Sequence, residues 1–345
     1  MLKKNIILIF LLLISFIFSL YALENKHKNE LNIYSGRQLS LIQPLIKEFE
    51  KNNDNIKINL VTGKSDAFIE RLKLEGVNSP ADILLTTDVA RLLRAKENNL
   101  FQSINSSMLI KNIPKKYRSK NNDWFGFSVR ARPIVYSKTR VDKKELSTYE
   151  DLSNIKWNNR ICMRSSNNVY NQSLIASMII NIGIKRTEEW IEGLVKNFSR
   201  KPFGGDRDQI RAIASGECDI SIINTYYLAN MLNSKNKSDK KAAEKVSIFW
   251  PNQETNGTHV NISGAGVVKG SKNLYNAIKF LEFLSTKESQ EIYTQKIHEY
   301  SIRKDVLPST TVSNFGSFNT DNLELEKLSS KMKQPIYLAS KKKWR

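Results

Sequence analysis

Short apolar runs alternate with amphipathic segments through the first hundred residues that follow an apolar N-terminus. The runs "ELNIYSG", "NIKINLVTG" and "PADILLTTD" have the length and composition of buried strands, and each precedes a segment with helical periodicity. The helix after the second run is expected to begin at Ser65 or Asp66, which are good capping residues. Strands and helices that alternate at this spacing form a parallel sheet with both faces covered. The sequence therefore predicts an α/β fold.

A second α/β series follows the segment "WFGFSVRARPIVYSK". It comprises the strand-like "NRICMRSS", a helix from about Gln172 to Ile184, the helix "TEEWIEGLVKNFS", a helix start in "GGDRDQIRAIASGE" and the strand "CDISIIN". The segment "ISGAGVVKGS" and the helix after it indicate a return to the first sheet. We therefore expect two α/β lobes joined by extended crossovers, with a cleft between the carboxyl ends of their strands, where ligands bind.

The chain length also favours two domains, because one hydrophobic core rarely serves more than about 250–300 residues. The predicted first lobe is discontinuous and comprises residues 30–128 and 260–305. Residues 129–259 form the predicted second lobe, and residues 306–345 a C-terminal helical segment that packs on the lobes.

Residues 1–22 have the form of a secretory signal peptide. Lys3 and Lys4 precede the uncharged stretch "NIILIFLLLISFIFSLYA", and cleavage is expected near Ala22. The alternative is an uncleaved anchor, because the stretch approaches the roughly 17–25 residues that span a bilayer. No cysteine near its end offers a lipidation site, and no second run of spanning length follows. The sequence predicts an exported protein.

The formal charge of +20 does not by itself indicate a nucleic-acid partner. Lys and Arg are spread along the chain, with only short clusters at "KSDKK" and "KKKWR", and no nucleic-acid-binding motif accompanies them. We interpret the charge as a solvated surface that also attracts anions.

Tyrosines follow the second series of strands at two places, Tyr170 in "NNVYNQ" and the adjacent Tyr226 and Tyr227 after "CDISIIN". A phenol, with a pKa of about 10, becomes a good ligand only when a strong Lewis acid displaces its proton. Three phenolates are hard donors that would balance the charge of Fe(III), whereas softer metals favour Cys, Met or His. The chain has only three His, at positions 27, 259 and 298. This composition favours ferric iron over zinc or copper.

Six segments, within about residues 31–318, resemble the periplasmic ferric-iron-binding proteins of ABC iron-uptake systems. They are "YSGRQLSLIQPLIKEFE", "SPADILLTTDVARL", "WFGFSVRARPIVYSK", "ICMRSSNNVYNQSL", "RKPFGGDRDQIRAIASGECDISIINTYY" and "GTHVNISGAGVVK". The resemblance is to the group that holds iron with tyrosines and a carbonate-type anion. It implies the two-lobe periplasmic binding protein fold of type II, with the ligand in the interlobe cleft. It also implies a monomer that performs no chemistry and delivers ferric iron to a membrane permease and its ATPase.

The resemblance places the iron ligands at Tyr170, Tyr226 and Tyr227. Neighbouring residues of an extended strand point to opposite sides, so we expect the chain to turn at Tyr226 and Tyr227 and direct both phenols to one ion.

The resemblance also places anion-binding or outer contacts at Arg37, Gln38 and Arg130. Carbonate or bicarbonate would complete the coordination there, held by guanidinium groups that suit a planar oxyanion. In one branch of the family, His and Tyr occupy the positions of Gln38 and Leu39 and both bind iron, so Leu39 implies that a fourth phenolate is absent here. Arg132 and Arg164 are interpreted as structural or solvent-facing.

Cys162 and Cys218 each precede a predicted site tyrosine by the same eight residues. They therefore occupy comparable points on two segments that enter one cleft, and in an oxidising compartment a disulfide between them is expected. The alternative is two buried free thiols.

Two other classes of function compete with ferric-iron binding. A receptor of the same fold for a small anion or organic solute would use Arg37 and Arg130, but it would not need two adjacent tyrosines. An exported enzyme is disfavoured, because the sequence has no Ser-His-Asp or Cys-His arrangement, no glycine-rich phosphate loop and no HExxH motif.

Overall fold

The structure, a computed structural model, describes residues 29–345, so the predicted signal peptide lies outside the described residues. Its strands form two separate sheets. The strands are β1 (Glu30–Ser35), β2 (Lys57–Thr62), β3 (Ile83–Thr86), β4 (Phe125–Ala131), β5 (Ile134–Ser137), β6 (Ile220–Ile222), β7 (Val246–Phe249) and β8 (Val260–Val267).

Helices connect these strands and cover the sheets. They are α1 (Leu39–Lys51), α2 (Ser65–Glu75), α3 (Val89–Glu97), α4 (Ser107–Asn112), α5 (Val169–Ile182), α6 (Ile184–Lys196), α7 (Asp206–Ser215), α8 (Thr225–Leu232), α9 (Lys237–Glu244), α10 (Leu274–Leu284), α11 (Lys287–Gln295), α12 (Thr310–Ser313) and α13 (Gln334–Lys341). A 3₁₀ segment, Leu325–Lys331, lies between the last two helices.

The first sheet has five strands in the order β2-β1-β3-β8-β4. The pairs β1–β2 and β1–β3 are parallel, as the alternation of strands and helices predicts, and β8 enters antiparallel between β3 and β4. Strand β8 is therefore the predicted return to this sheet. Its Gly264 permits close packing, because an added Cβ there would lie 2.5 Å from the carbonyl oxygen of Phe125.

The second sheet has three antiparallel strands in the order β6-β5-β7. Side chains of β5 alternate between its faces. Ile134 and Tyr136 join one hydrophobic cluster with α5 and α6, while Val135 joins another with α7 and the cysteine pair. The sheet is thus covered on both faces, as an α/β arrangement requires.

Two short crossovers join the sheets. Strand β4 belongs to the first sheet as far as Ala131, and β5 begins the second sheet at Ile134. The return runs from β7 to β8 at Val260. The first crossover therefore lies slightly beyond residue 128, where the predicted first lobe ends.

Three details of the second series differ from the sequence prediction. The segment "NRICMRSS" is not a strand, since only Ile161 in it forms isolated bridges. Helix α5 begins at Val169 rather than near Gln172, so Tyr170 lies within the helix. Strand β6 is shorter than "CDISIIN", and Tyr226 and Tyr227 already belong to α8. In the last case the first turn of α8 replaces extended backbone that the apolar composition had suggested.

Cys162 and Cys218 form a disulfide with Cα atoms 5.7 Å apart. It joins the segment before α5 to the segment before β6, both of which lead towards the tyrosines. Among residues 29–345, no helix is both long and apolar enough to cross a membrane.

Candidate metal centre

The three predicted ligand tyrosines all lie in the first turn of a helix. Tyr170 follows Asn168, whose side chain caps α5 by accepting a hydrogen bond from the Tyr170 backbone N–H at 3.1 Å. Tyr226 and Tyr227 follow Asn224, the N-cap residue of α8. The first turn of a helix has unpaired N–H groups and a partial positive charge, which favour negative groups nearby. Both helix starts are therefore suited to phenolates.

The tyrosine rings pack against one another. The centroids of Tyr226 and Tyr227 lie 4.1 Å apart, with 31° between their planes. Tyr170 forms a small cluster with Ala90 and Val169, and Tyr227 packs against that cluster. Tyr170 is 8% exposed and Tyr226 is 5% exposed. The structure thus brings Tyr170 to the adjacent pair Tyr226 and Tyr227, from which it is distant in the sequence.

Burial raises the pKa of Tyr226 well above its ordinary value, and the nearby phenols of Tyr170 and Tyr227 raise it further. Burial likewise raises the pKa of Tyr227, with added contributions from Tyr170 and Asp206. These two phenols are consequently neutral at pH 7. Their ionisation requires a cation that compensates both the burial and the mutual repulsion.

Three guanidinium groups surround Tyr170. The Cζ atoms of Arg130, Arg132 and Arg164 lie 5.3, 5.9 and 5.6 Å from the centroid of its ring. Arg164 also forms an ion pair with Asp206 at 3.2 Å. The sequence analysis had interpreted Arg132 and Arg164 as structural or solvent-facing, but both lie beside the phenol. Their own sequence contexts gave no sign of this, because the contact forms only in the folded chain.

Arg130 and Arg132 are buried without a carboxylate in salt-bridge distance among residues 29–345. The Arg130 Nη2 group donates to the carbonyl oxygens of Thr87 and Ile262, the latter at 2.7 Å. Arg132 donates to the carbonyl oxygen of Ile222 and to Asn171. The Nε atoms of both arginines are buried and lack a hydrogen-bond partner. Each therefore has a donor to offer to a ligand.

The groups around Arg130 and Arg132 shift the pKa values of these two arginines. Burial alone would lower the pKa of Arg130, but Tyr170, Glu299 and Tyr226 raise it above its ordinary value. Burial lowers the pKa of Arg132, although Asp206 opposes the change. The phenols thus influence the pKa of Arg130 more strongly than the pKa of Arg132.

Arg37 occupies a different environment from the one expected of an anion clamp. Its two terminal nitrogens donate to Glu299 at 3.0 and 3.2 Å, and one of them also donates to Ser263 at 2.6 Å. Ser128 donates a further hydrogen bond to Glu299. A carboxylate of the protein thus occupies the fork of Arg37, and only the buried Nε lacks a partner.

Gln38 and Leu39 lie exposed at the beginning of α1. The Gln38 amide forms no hydrogen bond within residues 29–345, and Leu39 is 52% exposed. The structure therefore gives no contact that joins Gln38 to the tyrosine cluster.

Two polar groups beside the pair of tyrosines escaped the sequence analysis. The Nδ2 atom of Asn224 and the hydroxyl oxygen of Thr225 are buried and without a hydrogen-bond partner at the start of α8. The order Asn-Thr before "YY" was the available signal, because Asn and Thr are frequent at helix starts. No local sequence pattern around Glu299 indicated that it pairs with Arg37.

The acidic and imidazole side chains offer no competing centre. Among residues 29–345, no group of three or more His, Cys, Asp or Glu is arranged to hold a metal. His259 is buried near Arg132 and Arg130, and burial together with these two charges lowers its pKa to about 3. A metal centre in this region would therefore depend on the phenols.

Two covered sheets with a buried cluster of polar residues between them define a two-unit binding protein. Residues 35–291 match the family described as bacterial extracellular solute-binding protein, and the chain belongs to that family. This membership confirms the prediction of an extracytoplasmic binding protein rather than an enzyme.

Relatives of known identity are similar over most of their length. Iron uptake protein A1 of Synechocystis sp. is 44% identical over 318 residues, which cover 92% of this chain and 88% of that protein. A Trichodesmium protein (IdiA, FutA), solved in complex with iron and citrate ligands, aligns with a TM-score of 0.87 and 45% identity, over 92% of this chain and 100% of that one. The ferric binding protein from Campylobacter jejuni aligns with a TM-score of 0.88 and 39% identity, over 91% of this chain and 100% of that one. These likenesses confirm the periplasmic binding protein fold.

The buried pair of Arg37 and Glu299 generates a first prediction. Arg37→Met leaves the Glu299 charge buried and unpaired, so the free energy of unfolding should fall by about 3–5 kcal/mol. The double variant Arg37→Met/Glu299→Leu removes both charges and should recover most of that loss. Urea denaturation of the metal-free proteins measures both values. A loss below about 1 kcal/mol in the single variant, in the range of an ordinary surface substitution, would show that Arg37 is not committed to this pair.

Proposed function

We propose that the protein binds ferric iron through the phenolates of Tyr170, Tyr226 and Tyr227 and delivers it for uptake. The observation that carries this proposal is the packing of three phenols, two of them with raised pKa values, at the starts of two helices. Neutral phenols packed this closely would be poor anion receptors, since they would contribute few donors for the volume that they occupy. Three phenolates match the charge of a trivalent cation and supply the hard oxygen ligands that it prefers.

Relatives support the choice of metal. The Campylobacter jejuni structure is a ferric binding protein, and the Trichodesmium protein was solved with iron and citrate. The whole-length similarity extends to the segments that carry the three tyrosines. We infer the same cargo for this chain.

The delivery step follows from the class of protein. Solute-binding proteins of ABC transporters work with a membrane permease and an ATPase, and we propose that this protein hands its iron to such a permease from the periplasm. It would act as a monomer, because one chain supplies all the proposed ligands, and would meet the membrane only through the permease.

Three phenolates leave part of the coordination of a six-coordinate ferric ion open, and we propose that a small oxyanion, carbonate or bicarbonate, fills it. Arg130 is the principal proposed contact, because its guanidinium lies beside Tyr170 and its Nε has no partner. Arg132, Asn224 and Thr225 offer further unpaired donors. Arg37 would act indirectly, by holding Glu299. Gln38 would make an outer contact from the exposed start of α1.

The same unpaired donors favour a second candidate function, a receptor for a small anion or organic solute without iron. The buried guanidiniums of Arg130 and Arg132 would then be the main contacts, and Arg37 would again act indirectly. The ferric receptor and the anion receptor differ in what they require of Tyr226 and Tyr227. These two phenols need to ionise only if a metal binds.

The ferric proposal predicts a visible colour that depends on the tyrosines. Phenolate-to-Fe(III) charge transfer absorbs visible light, so the loaded protein should be orange to purple. Tyr226→Phe should weaken ferric binding by more than the roughly 10–100-fold that outer-shell changes cost, because an anionic ligand is lost. Absorption spectra and competition with a chelator measure both effects.

Tyr136→Phe is the matched control for that substitution. Tyr136 is a buried tyrosine of β5 outside the cluster, and its loss should leave colour and affinity unchanged. Colourless protein that carries stoichiometric ferric iron would rule out tyrosinate ligation. Tight anion binding without iron binding would favour the second candidate function.

The oxyanion proposal predicts that added bicarbonate strengthens iron binding through Arg130. Arg130→Lys keeps a charge but loses the planar fork that suits an oxyanion, so it should weaken iron binding about ten- to a hundredfold and reduce the response to bicarbonate. Arg164→Lys is the control, because Arg164 lies about as near Tyr170 and also has a buried Nε without a partner, but its charge is already paired with Asp206. Titrations repeated with citrate test whether a carboxylate substitutes for bicarbonate. Equal bicarbonate responses in wild type and Arg130→Lys would contradict the clamp.

Iron should be released as the pH falls. The phenols of Tyr226 and Tyr227 are protonated in the metal-free protein, because their pKa values are raised. Loading therefore releases protons, and acid favours the metal-free form. Affinity should fall by about tenfold per pH unit for each proton released. His259 does not contribute between pH 7.5 and 5.5, because its pKa is about 3.

Chelator competition across pH 7.5 to 5.5 measures this slope, with the pH dependence of the chelator taken into account. Tyr226→Phe releases one proton fewer and should show a shallower slope. The same slope in both proteins, or an affinity that does not change with pH, would contradict phenolate ligation.

A further inference from the structure

The C-terminal strap, defined here as residues 321–344, spans the two hydrophobic cores. Leu325 and Leu328 are buried in the core of the first sheet. Leu338 and Ala339, in α13, are buried in the core between the second sheet and helices α5 and α6. The strap is thus a third connection between the two units, besides the two crossovers.

Polar contacts fix the strap on both sides. Lys96 of α3 pairs with Glu326 at 3.0 Å, and Ser329 donates a hydrogen bond to Glu97. At the other end, Lys342 pairs with Glu192 of α6 at 2.7 Å. Individual pairs at a surface contribute little, so we regard these contacts as setting the register of the strap rather than its stability.

The end of the strap is buried beside the segment that leads to Tyr170. Trp344 has no exposed surface, and its ring packs edge-on against Trp190 and Phe198, at centroid distances of 6.4 and 5.9 Å. Its Nε1–H donates to the carbonyl oxygen of Arg164 at 2.9 Å. Its own carbonyl oxygen accepts a hydrogen bond from the Ser166 hydroxyl at 2.5 Å. Trp344 therefore binds this segment through both a donor and an acceptor.

The segment from Arg164 to Asn168 is also held by side chains of α5 and, at Arg164, by the ion pair with Asp206 of α7. Gln172 of α5 donates to the carbonyl oxygens of Ser166 and Asn167. Asn171 of α5 donates to the carbonyl oxygens of Arg164 and Ser165, each at 3.1 Å. Asn168 then caps the helix at the Tyr170 N–H. The short segment before Tyr170 is thus held by its own helix, by Asp206 of α7 and, from the C-terminal strap, by Trp344.

The middle of the strap reaches the same phenol from another direction. Met332 packs against the cluster of Ala90, Val169 and Tyr170. Ala90 belongs to α3 of the first unit, whereas Val169 and Tyr170 begin α5 of the second. Met332 therefore lies where the strap passes the contact between the two units.

We propose that the C-terminal strap positions the metal site, with Trp344 as a positioning residue that holds the Arg164–Asn168 segment and so fixes the Tyr170 phenol. The inference rests on the proposed ferric function of Tyr170. Trp344 does not touch the iron. It acts on the geometry of one ligand, because a phenolate displaced by a fraction of an ångström forms a weaker bond to the metal and changes its charge-transfer absorption.

The test replaces Trp344 by Phe, which keeps an aromatic ring in the core but removes the indole donor to Arg164 and part of the ring volume. Trp157→Phe is the matched control, since Trp157 is buried in the same core and donates to Asp151 instead, at 3.3 Å. Both variants should lower the melting temperature of the metal-free protein. Only Trp344→Phe should weaken ferric binding, by about tenfold, the scale of losing one buried hydrogen bond, and shift the absorption maximum.

A double-mutant cycle assigns the effect to Tyr170. In a Tyr170→Phe background there is no phenolate to position, so adding Trp344→Phe should change the ferric affinity by less than about twofold. Ser166→Ala removes the second contact without altering the core. It should weaken iron binding in the same direction, and it keeps the test valid if Trp344→Phe does not fold.

The outcomes separate this inference from the proposed function. If the wild type binds ferric iron with colour but Trp344→Phe and Ser166→Ala match Trp157→Phe in affinity and absorption, the strap has only a structural role and the inference is overturned. Additive losses in the Tyr170→Phe background overturn it too. If the wild type does not bind ferric iron, the proposed function itself fails, and the positioning role falls with it.

Discussion

The rest of the site depends on the repulsion between phenolates that the fold holds side by side. Burial and the neighbouring phenols both raise the pKa of Tyr226, so this phenol is protonated in the metal-free protein. A trivalent cation attracts the phenolates more strongly than a divalent one, and so offsets more of the cost of ionising them. The cost of ionising the phenols therefore acts as a selectivity device, since only a strongly charged Lewis acid can offset it.

Helix starts make this arrangement possible. Tyr170 and the pair Tyr226–Tyr227 belong to different helices, yet each helix presents its first turn to the same place. The contact between the two units is also made here. Asp88, which caps α3 of the first unit, accepts a hydrogen bond from Ser173 of α5 at 2.8 Å. Burial raises the pKa of Asp88, although Arg130 opposes that change. The groups that join the units are thus coupled to those of the site.

Local pattern was sufficient for much of the fold. The alternation of strands and helices, the return of β8 and the places of the three tyrosines in the chain all follow from short stretches of sequence. The run "CDISIINTYY" was harder, because a strand and the first turn of a helix share apolar and aromatic residues, and the boundary is set by tertiary packing. The Arg37–Glu299 pair joins residues 262 apart, and the contact of Trp344 with Arg164 joins residues 180 apart. No local pattern encodes such contacts, so an arginine that looked like an anion clamp proved to be paired within the protein.

The balance of buried charge supports the proposal of an anion in the site. Arg37 and Arg164 have carboxylate partners, in Glu299 and Asp206. Arg130 and Arg132 have none within residues 29–345, and carbonyl and amide oxygens are their only acceptors. Three phenolates and one ferric ion are neutral together, so loading the metal does not compensate these two charges. An oxyanion bound beside the iron would do so, and it would also occupy the coordination positions that the exposed Leu39 cannot fill. The same two arginines therefore oppose binding of the bare cation and favour binding of the cation together with its anion.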